Sequence, residues 1–227
     1  MANILAFDVY GTLIDTHGVV HKLSEFIGER ANEFSQTWRN KQLEYSFRRG
    51  LMQLYAPFSA CTAEALDFTC AFYNTQLSNM QRLELLESYH FLPAFRDAII
   101  GLEKLQNKNF HCYAFSNGAK KDVETVLKHA NLHGYFKDVI SVEDVKSFKP
   151  NPGVYAHFLR SANTTASNAW LISSNSFDVI GAISSGMNAA WIKRSSTSIL
   201  DPWGVEPTST LESLENLASH IQNHTSS

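Results

Sequence analysis

The decapeptide Ile4-Leu5-Ala6-Phe7-Asp8-Val9-Tyr10-Gly11-Thr12-Leu13 runs an apolar stretch of strand length into a single carboxylate, with a glycine and a hydroxyl close behind. Such a run reads as a buried strand of a parallel sheet, with Asp8 at its carboxyl end. Ligands of open α/β sheets bind at that edge. A carboxylate placed there can attack a substrate as a nucleophile, giving an ester that water later cleaves. The same residues also suit a strand closed by a turn-forming Asp-x-x-Gly. The two readings separate only when the other strand ends are considered.

From Pro93 onward, apolar runs of strand length alternate with amphipathic stretches. Strands are expected at Cys112–Phe115, Val139–Ser141, Ala169–Ile172 and Ala189–Ile192, with helices between them. Polar residues appear where each run stops. Ser116-Asn117-Gly118 follows the second strand, just before a helix whose free N–H groups can hold an anion. Lys149-Pro150-Asn151-Pro152 follows the third, with Pro152 suited to the first turn of a helix that carries Tyr155. Ser173-Ser174-Asn175-Ser176-Phe177-Asp178 follows the fourth, and the last helix is expected to open with a capping box from Ser209 to Glu212. The tail from Asn223 is expected to fray.

Each polar cluster has a plain alternative: an Asn-Gly turn, a solvated lysine, a first-turn acid. Independent turns would not bring Asp8, Ser116, Lys149 and Asp178 to one edge of one sheet, so the functional reading prevails. The alternation implies an α/β fold with a doubly wound parallel-sheet (Rossmann-like) core. Residues 17–90 show helical periodicity and a single proline, Pro57, and read as an inserted helical cap domain. Residues 1–16 and 91–227 form the core. Within the insertion, Arg39, Leu43, Phe47 and Gly50 share a helical face. Trp38, Tyr45, Phe47, Tyr55 and Phe58 are expected to serve mostly as core, with some forming the wall of an apolar pocket.

At 227 residues and 18% charged, 44% apolar composition, the chain has no signature of disorder. A net charge of -3 gives no electrostatic reason to expect nucleic acid or an anionic membrane as partner, so a small solute is the better ligand. The first strand begins too early to leave room for a signal segment, and Cys61, Cys70 and Cys112 read as buried reduced thiols, as in a cytoplasmic protein. The pairs His17/His21, His129/His133 and His220/His224 have i, i+4 spacing but lack a metalloprotease glutamate. Gly181 and Gly186 lack the lysine of a phosphate-binding loop and read as helix packing.

These stretches together resemble the haloacid dehalogenase superfamily, and within it the L-2-haloacid dehalogenases. The likeness rests on Phe-Asp-Val-Tyr-Gly-Thr-Leu at 7–13, Trp-Arg-Asn-Lys-Gln-Leu-Glu-Tyr at 38–45, Ser-Asn-Gly at 116–118, Lys-Pro at 149–150 with Tyr155, and Ser-Ser-Asn-Ser-Phe-Asp at 173–178. It implies a cofactor-free, metal-independent hydrolase, an (S)-2-haloacid dehalogenase. Such an enzyme turns short-chain L-2-haloacids into D-2-hydroxyacids and halide through an ester on Asp8, with inversion at C2. By the same likeness Asp8 is the nucleophile, and Thr12, Lys149 and Tyr155 orient or support it. Ser116 and backbone amides, that of Tyr10 among them, hold the substrate carboxylate, while Arg39 and Asn117 receive the halide. Ser173, Asn175 and Asp178 position and activate water, and Asn40, Leu43, Phe58 and Phe177 adjoin the substrate. The resemblance further implies a homodimer.

The chemistry of the residues agrees with this. A halide leaves as an anion, so it needs a cation and amide donors rather than a general acid. Backside attack on an aliphatic carbon needs a dry, oriented pocket, which a cap supplies. Phosphatases of the superfamily carry a second aspartate two residues after the nucleophile; here that residue is Tyr10. A magnesium-dependent phosphohydrolase and a non-catalytic binding module are the two other readings. Asn40 and Phe177 depart from the branch pattern, where glutamine and tryptophan are usual.

Overall fold

The computed structural model describes residues 3–106 and 108–225. Six strands, β1 (Asn3–Phe7), β2 (Phe110–Ser116), β3 (Val139–Ser141), β4 (Ala169–Ser173), β5 (Asn188–Ile192) and β6 (Ser209–Leu211), pair in the order β3-β2-β1-β4-β5-β6. Every pairing is parallel. The chain leaves β1 toward β2 on one side and reaches β4 on the other, so the switch point of the sheet lies at the end of β1, where Asp8 follows Phe7.

The sheet is buried on both faces, which is why its strands read as continuous apolar runs. Along β1, Leu5 and Phe7 join one core with α5 (Arg96–Gln106), α6 (Lys120–His129) and α9 (Leu217–Thr225), while Ile4 and Ala6 join a second core with α7 (Pro152–Ser161) and α8 (Ser176–Ser184). Cys61, Cys70 and Cys112 are free, buried thiols. No helix among the described residues is long and apolar enough to cross a membrane.

Between β1 and α5 lie four helices, α1 (Gly18–Ile27), α2 (Ala31–Met52), α3 (Phe58–Phe72) and α4 (Asn79–Ser88). The aromatic residues divide as expected. Trp38 is fully buried, and Tyr55 stacks on Phe148 at 5.2 Å. Phe58 packs against the second core and reaches the edge of the sheet that bears Asp8.

Two expectations at the C-terminus are corrected. Ser209 does not cap a helix; it starts β6, pairing with Ala190, and its burial alternates with that of exposed Thr210 and buried Leu211. The cap lies four residues later, where Ser213 Oγ accepts from Glu215 N at 3.2 Å ahead of a short 3-10 turn leading into α9. Nor does the chain fray at Asn223: α9 continues to Thr225, and the His224 ring packs edge-on against Trp170 at 5.2 Å. The residues beyond Thr225 lie outside the described residues.

Gly101 on α5 lies directly against the backbone at Leu214. A Cβ there would stand 2.6 Å from the Leu214 carbonyl oxygen and 2.9 Å from its carbon. Because backbone cannot swing aside as a side chain does, Gly101→Ala is expected to cost about 1–3 kcal/mol despite alanine's better helix propensity. A urea denaturation midpoint equal to that of the parent protein would contradict this.

Candidate active site

Asp8 is placed by the exit from β1. Its backbone N–H still donates to Ile172 O on β4 at 3.0 Å, after which the chain turns through Gly11 at φ +88°, a value glycine adopts without strain. The turn returns Thr12 to the carboxylate, where Thr12 Oγ1 donates to Asp8 Oδ2 at 2.8 Å. The same oxygen accepts from Ser173 Oγ at 3.2 Å and Asn175 Nδ2 at 2.7 Å. Ser174 Oγ donates to Gly11 O at 2.6 Å, and Ser174 N donates to Thr12 Oγ1 at 2.9 Å. The Thr12 proton is therefore directed to Asp8. Asp8 Oδ1 has a sparser environment: its hydrogen-bond partner is Lys149 Nζ at 3.3 Å.

Lys149 is 1% exposed. Its ammonium donates to Asp178 Oδ2 at 2.7 Å and Phe115 O at 2.8 Å as well as reaching Asp8, and it stands 4.2 Å from the centre of the Phe115 ring. Tyr155 from α7 donates to Asp178 Oδ1 at 2.8 Å. A Cβ on Gly181 of α8 would collide with the Tyr155 hydroxyl and lie 2.8 Å from Pro150 Cβ, so the glycine lets α7 and α8 close around the acid. Burial pushes the Asp178 carboxyl up to about 6, against the opposing pull of Lys149 and with the Asp8 charge raising it further. Burial likewise raises Tyr155 well above the usual phenol range and lowers Arg39.

A cavity of about 20 Å³ opens in front of Asp8. Its sheet-edge wall is Asp8, Tyr10, Ser116, Asn117, Lys149, Asn175 and Phe177; Arg39 and Leu43 from α2 and Phe58 from α3 close it. Ser116 Oγ accepts from Gly118 N at 3.1 Å, and among the described residues no acceptor takes its proton. Asn117 Oδ1 accepts from Lys149 N at 2.9 Å, which fixes the orientation of its amide. Phe177 packs edge-on against Phe47 at 5.0 Å.

The sheet edge thus gathers Asp8, Thr12, Lys149, Tyr155, Ser173, Asn175 and Asp178 into one hydrogen-bonded group, with Ser116, Asn117, Arg39, Leu43, Phe58 and Phe177 around the space before it. The exception is Asn40. It is exposed and accepts from Gln36 Nε2 at 3.0 Å, outside the cavity. The reason is helical geometry: adjacent residues are about 100° apart around the axis, so the neighbour of Arg39 cannot share its face.

This geometry has close counterparts. The sequence profile of the haloacid dehalogenase-like hydrolases matches residues 5–192. The chain belongs to the haloacid dehalogenase-like hydrolases. Among individual relatives, it is 35% identical over 190 residues to the (S)-2-haloacid dehalogenase of Pseudomonas sp. (strain YL), covering 84% of this chain and 82% of that one. It is 32% identical over 213 residues to (S)-2-haloacid dehalogenase 2 of Pseudomonas sp. (strain CBS-3), covering 94% and 93%. The solved structure of L-2-haloacid dehalogenase from Xanthobacter autotrophicus superposes with a TM-score of 0.90 at 28% identity, over 98% of this chain and 99% of that one. A second structure of that enzyme, with chloropropionic acid covalently bound, superposes with the same TM-score. The branch read from the motifs is therefore the one to which these relatives belong.

Within this haloacid dehalogenase-like site, several supports were not singled out from sequence. Arg194 Nη1 pairs with Asp97 Oδ2 at 2.6 Å and its Nη2 donates to Thr12 O, anchoring the turn behind Asp8. Ser174 fixes the Thr12 hydroxyl, and the Phe115 carbonyl holds Lys149. Main-chain acceptors carry no residue-type signal, and Arg194 lies far along the chain from what it holds. Only Ser174 stands inside a motif that could have pointed to it.

Lys149 is the charge that allows two carboxylates to be buried side by side. Removing one partner from such a group leaves uncompensated charge, so Lys149→Met is expected to lose about 3–5 kcal/mol of stability at pH 8. The loss should be clearly smaller at pH 5, where Asp178, with its folded value near 6, takes up a proton. Urea denaturation at the two pH values measures this; an equal loss at both would contradict it.

Proposed function

We propose that this chain hydrolyses short-chain L-2-haloacids to D-2-hydroxyacids and halide, with inversion at C2, through an ester on Asp8. The observation that carries the reading is the asymmetry of the Asp8 carboxylate. Three donors converge on Oδ2, whereas Oδ1 has Lys149 at 3.3 Å. Oδ1 is the freer oxygen and attacks C2 from the side opposite the halogen. The electron pair of the carbon–halogen bond leaves with the halide, and no proton is required. Arg39 and the Asn117 amide receive the anion, while Ser116 and nearby backbone amides hold the substrate carboxylate.

The same asymmetry serves the second step. Once Oδ1 is the ester oxygen, Oδ2 is its carbonyl oxygen, already bonded by Thr12, Ser173 and Asn175. Water adding to the Asp8 carboxyl carbon places negative charge on Oδ2, where those donors stand; collapse breaks the bond to Oδ1, and the departing alkoxide takes back the proton that the base removed from water, leaving as the hydroxyacid with the original Oδ1. Asp178, raised to about 6 by burial, is suited to take the proton of that water near neutrality. Residues 17–90 act as the cap that closes over the core of residues 1–16 and 91–227 and keeps other water away. The covalently bound chloropropionic acid of the Xanthobacter relative supports a covalent route. For the phosphohydrolase reading, a metal would have to compete with the Lys149 ammonium, which fills the space between Asp8 and Asp178.

In heavy-oxygen water, with enzyme in excess over L-2-chloropropionate, the label is expected in the Asp8 carboxylate and not in the 2-hydroxyl of a D-lactate product. Mass spectrometry of the peptide containing Asp8 and of the product reads both. Label in the product hydroxyl after one turnover, or retained configuration, overturns the ester route. Phosphate release from a phosphate-ester control without halide release from the chloroacid overturns the function itself.

Asp178 sets the expected pH dependence. Its base form is populated above its folded value, so the ester-hydrolysis rate in single-turnover experiments should climb through about pH 6 and level off above it. Asp178→Asn should release a burst of halide and then accumulate the adduct. A variant hydrolysing the ester at the parent rate would remove Asp178 from the step.

A further inference from the structure

Arg39 also heads a chain of hydrogen bonds through residues to which the sequence reading gave no role. Arg39 Nη1 donates to Gln42 Oε1 at 2.6 Å, Gln42 Nε2 donates to Thr62 Oγ1 at 2.5 Å, and Thr62 Oγ1 donates to Phe58 O at 2.9 Å. Gln42 is 0% exposed, and the Tyr89 hydroxyl also interacts with its amide. Trp38 Nε1 donates to Thr62 O at 2.8 Å, so α2 is tied to α3 on both sides of the glutamine.

The direction of this chain is determined. The Thr62 hydroxyl has one proton, and the Phe58 carbonyl can only accept it. Thr62 Oγ1 must therefore accept from Gln42, and the amide nitrogen of Gln42 must face Thr62. That orientation turns Gln42 Oε1 to the guanidinium; the opposite one would set donor against donor. We propose that Gln42 and Thr62 are positioning residues that hold Arg39 for the departing halide while leaving its charge unneutralised. This inference rests on the halide role proposed for Arg39.

The neutrality of the partner is the point. Arg48, Arg49, Arg82 and Arg194 each pair with a carboxylate, whereas among the described residues Arg39, like Arg30, Arg96 and Arg160, has none within ion-pair distance, and of these four it is Arg39 that lines the cavity before Asp8. A glutamate at position 42 would fix the guanidinium equally well but would compete with an arriving anion. A glutamine fixes it and does not compete. Because Thr62 bonds to the Phe58 backbone, the same chain also ties the position of the cation to the residue that forms the cavity wall.

The test uses the full chain and two readouts: bromide affinity from fluorescence titration, which requires no turnover, and kcat for L-2-chloropropionate against L-2-bromopropionate. Gln42→Leu and Gln42→Glu should each weaken bromide binding about tenfold and lower kcat more for the chloro than for the bromo acid, since chloride is the poorer leaving group. Thr62→Val should do the same to a smaller degree, and Thr62→Ser should recover most of the affinity that Thr62→Val loses. If the Gln42 variants fail to fold, the Thr62 pair decides. Unchanged bromide affinity, or equal loss with both substrates, overturns the relay and returns Gln42 to packing. A parent protein that binds bromide in a Gln42-dependent way but releases no halide overturns the dehalogenase reading and keeps the relay; one that binds no bromide overturns the relay directly.

Discussion

One ammonium group sustains the centre of this protein. Lys149 Nζ is held between Asp8 and Asp178 and capped by the Phe115 carbonyl, in a place closed to solvent. Without it, two carboxylates at the carboxyl edge of a buried sheet would carry a prohibitive desolvation cost. With it, the acids remain in one pocket yet differ in environment. Asp8 takes neutral donors on Oδ2 and meets Lys149 only at Oδ1, whereas Asp178 is buried behind Lys149 and Tyr155 with its pKa raised to about 6. Environment rather than residue type separates the two acids.

The sheet topology is what makes such a group possible. Asp8 follows the central strand; Ser116 ends β2 on one side, and Ser173 ends β4 on the other. Parallel strands end at the same edge, so three clusters distant in sequence converge without any long loop. Lys149 and Tyr155 come from just before and within α7, and Asp178 from the first turn of α8, which stays close to α7 because Gly181 has no side chain.

This convergence explains what the sequence could disclose. Five strands were legible because each is an apolar run that ends where polar chemistry begins, and most of the candidate site residues were singled out because they sit near those ends, Arg39, Leu43 and Phe58 coming from α2 and α3 instead. The sixth strand was not. Ser209-Thr210-Leu211 is only three residues long, and its Ser-x-x-Glu pattern imitates a helix cap; pairing with β5 outweighs the local signal. Asn40, set beside the substrate by the resemblance, lies exposed on α2 outside the cavity, and Gln42, inside the stretch 38–45, was given no role although i and i+3 share a face. The Arg194 contact with the Thr12 carbonyl has no signature at all, since any donor at the right point in space would serve.

The space in front of Asp8 adds a last constraint. At about 20 Å³ it is the smallest of three spaces that meet there. Two larger spaces adjoin it: one of about 210 Å³ that shares Tyr10 and Phe58 with it, and one of about 200 Å³ that shares Arg39. The partitions are therefore side chains rather than whole elements. Tyr10 and Phe58 stand between the larger, mostly apolar space and the front of Asp8. Arg39, tied through Gln42 and Thr62 to α3, forms the other partition. The side chain that carries the cation is thus held by hydrogen bonds, whereas Tyr10 and Phe58 hold their side of the cavity by packing.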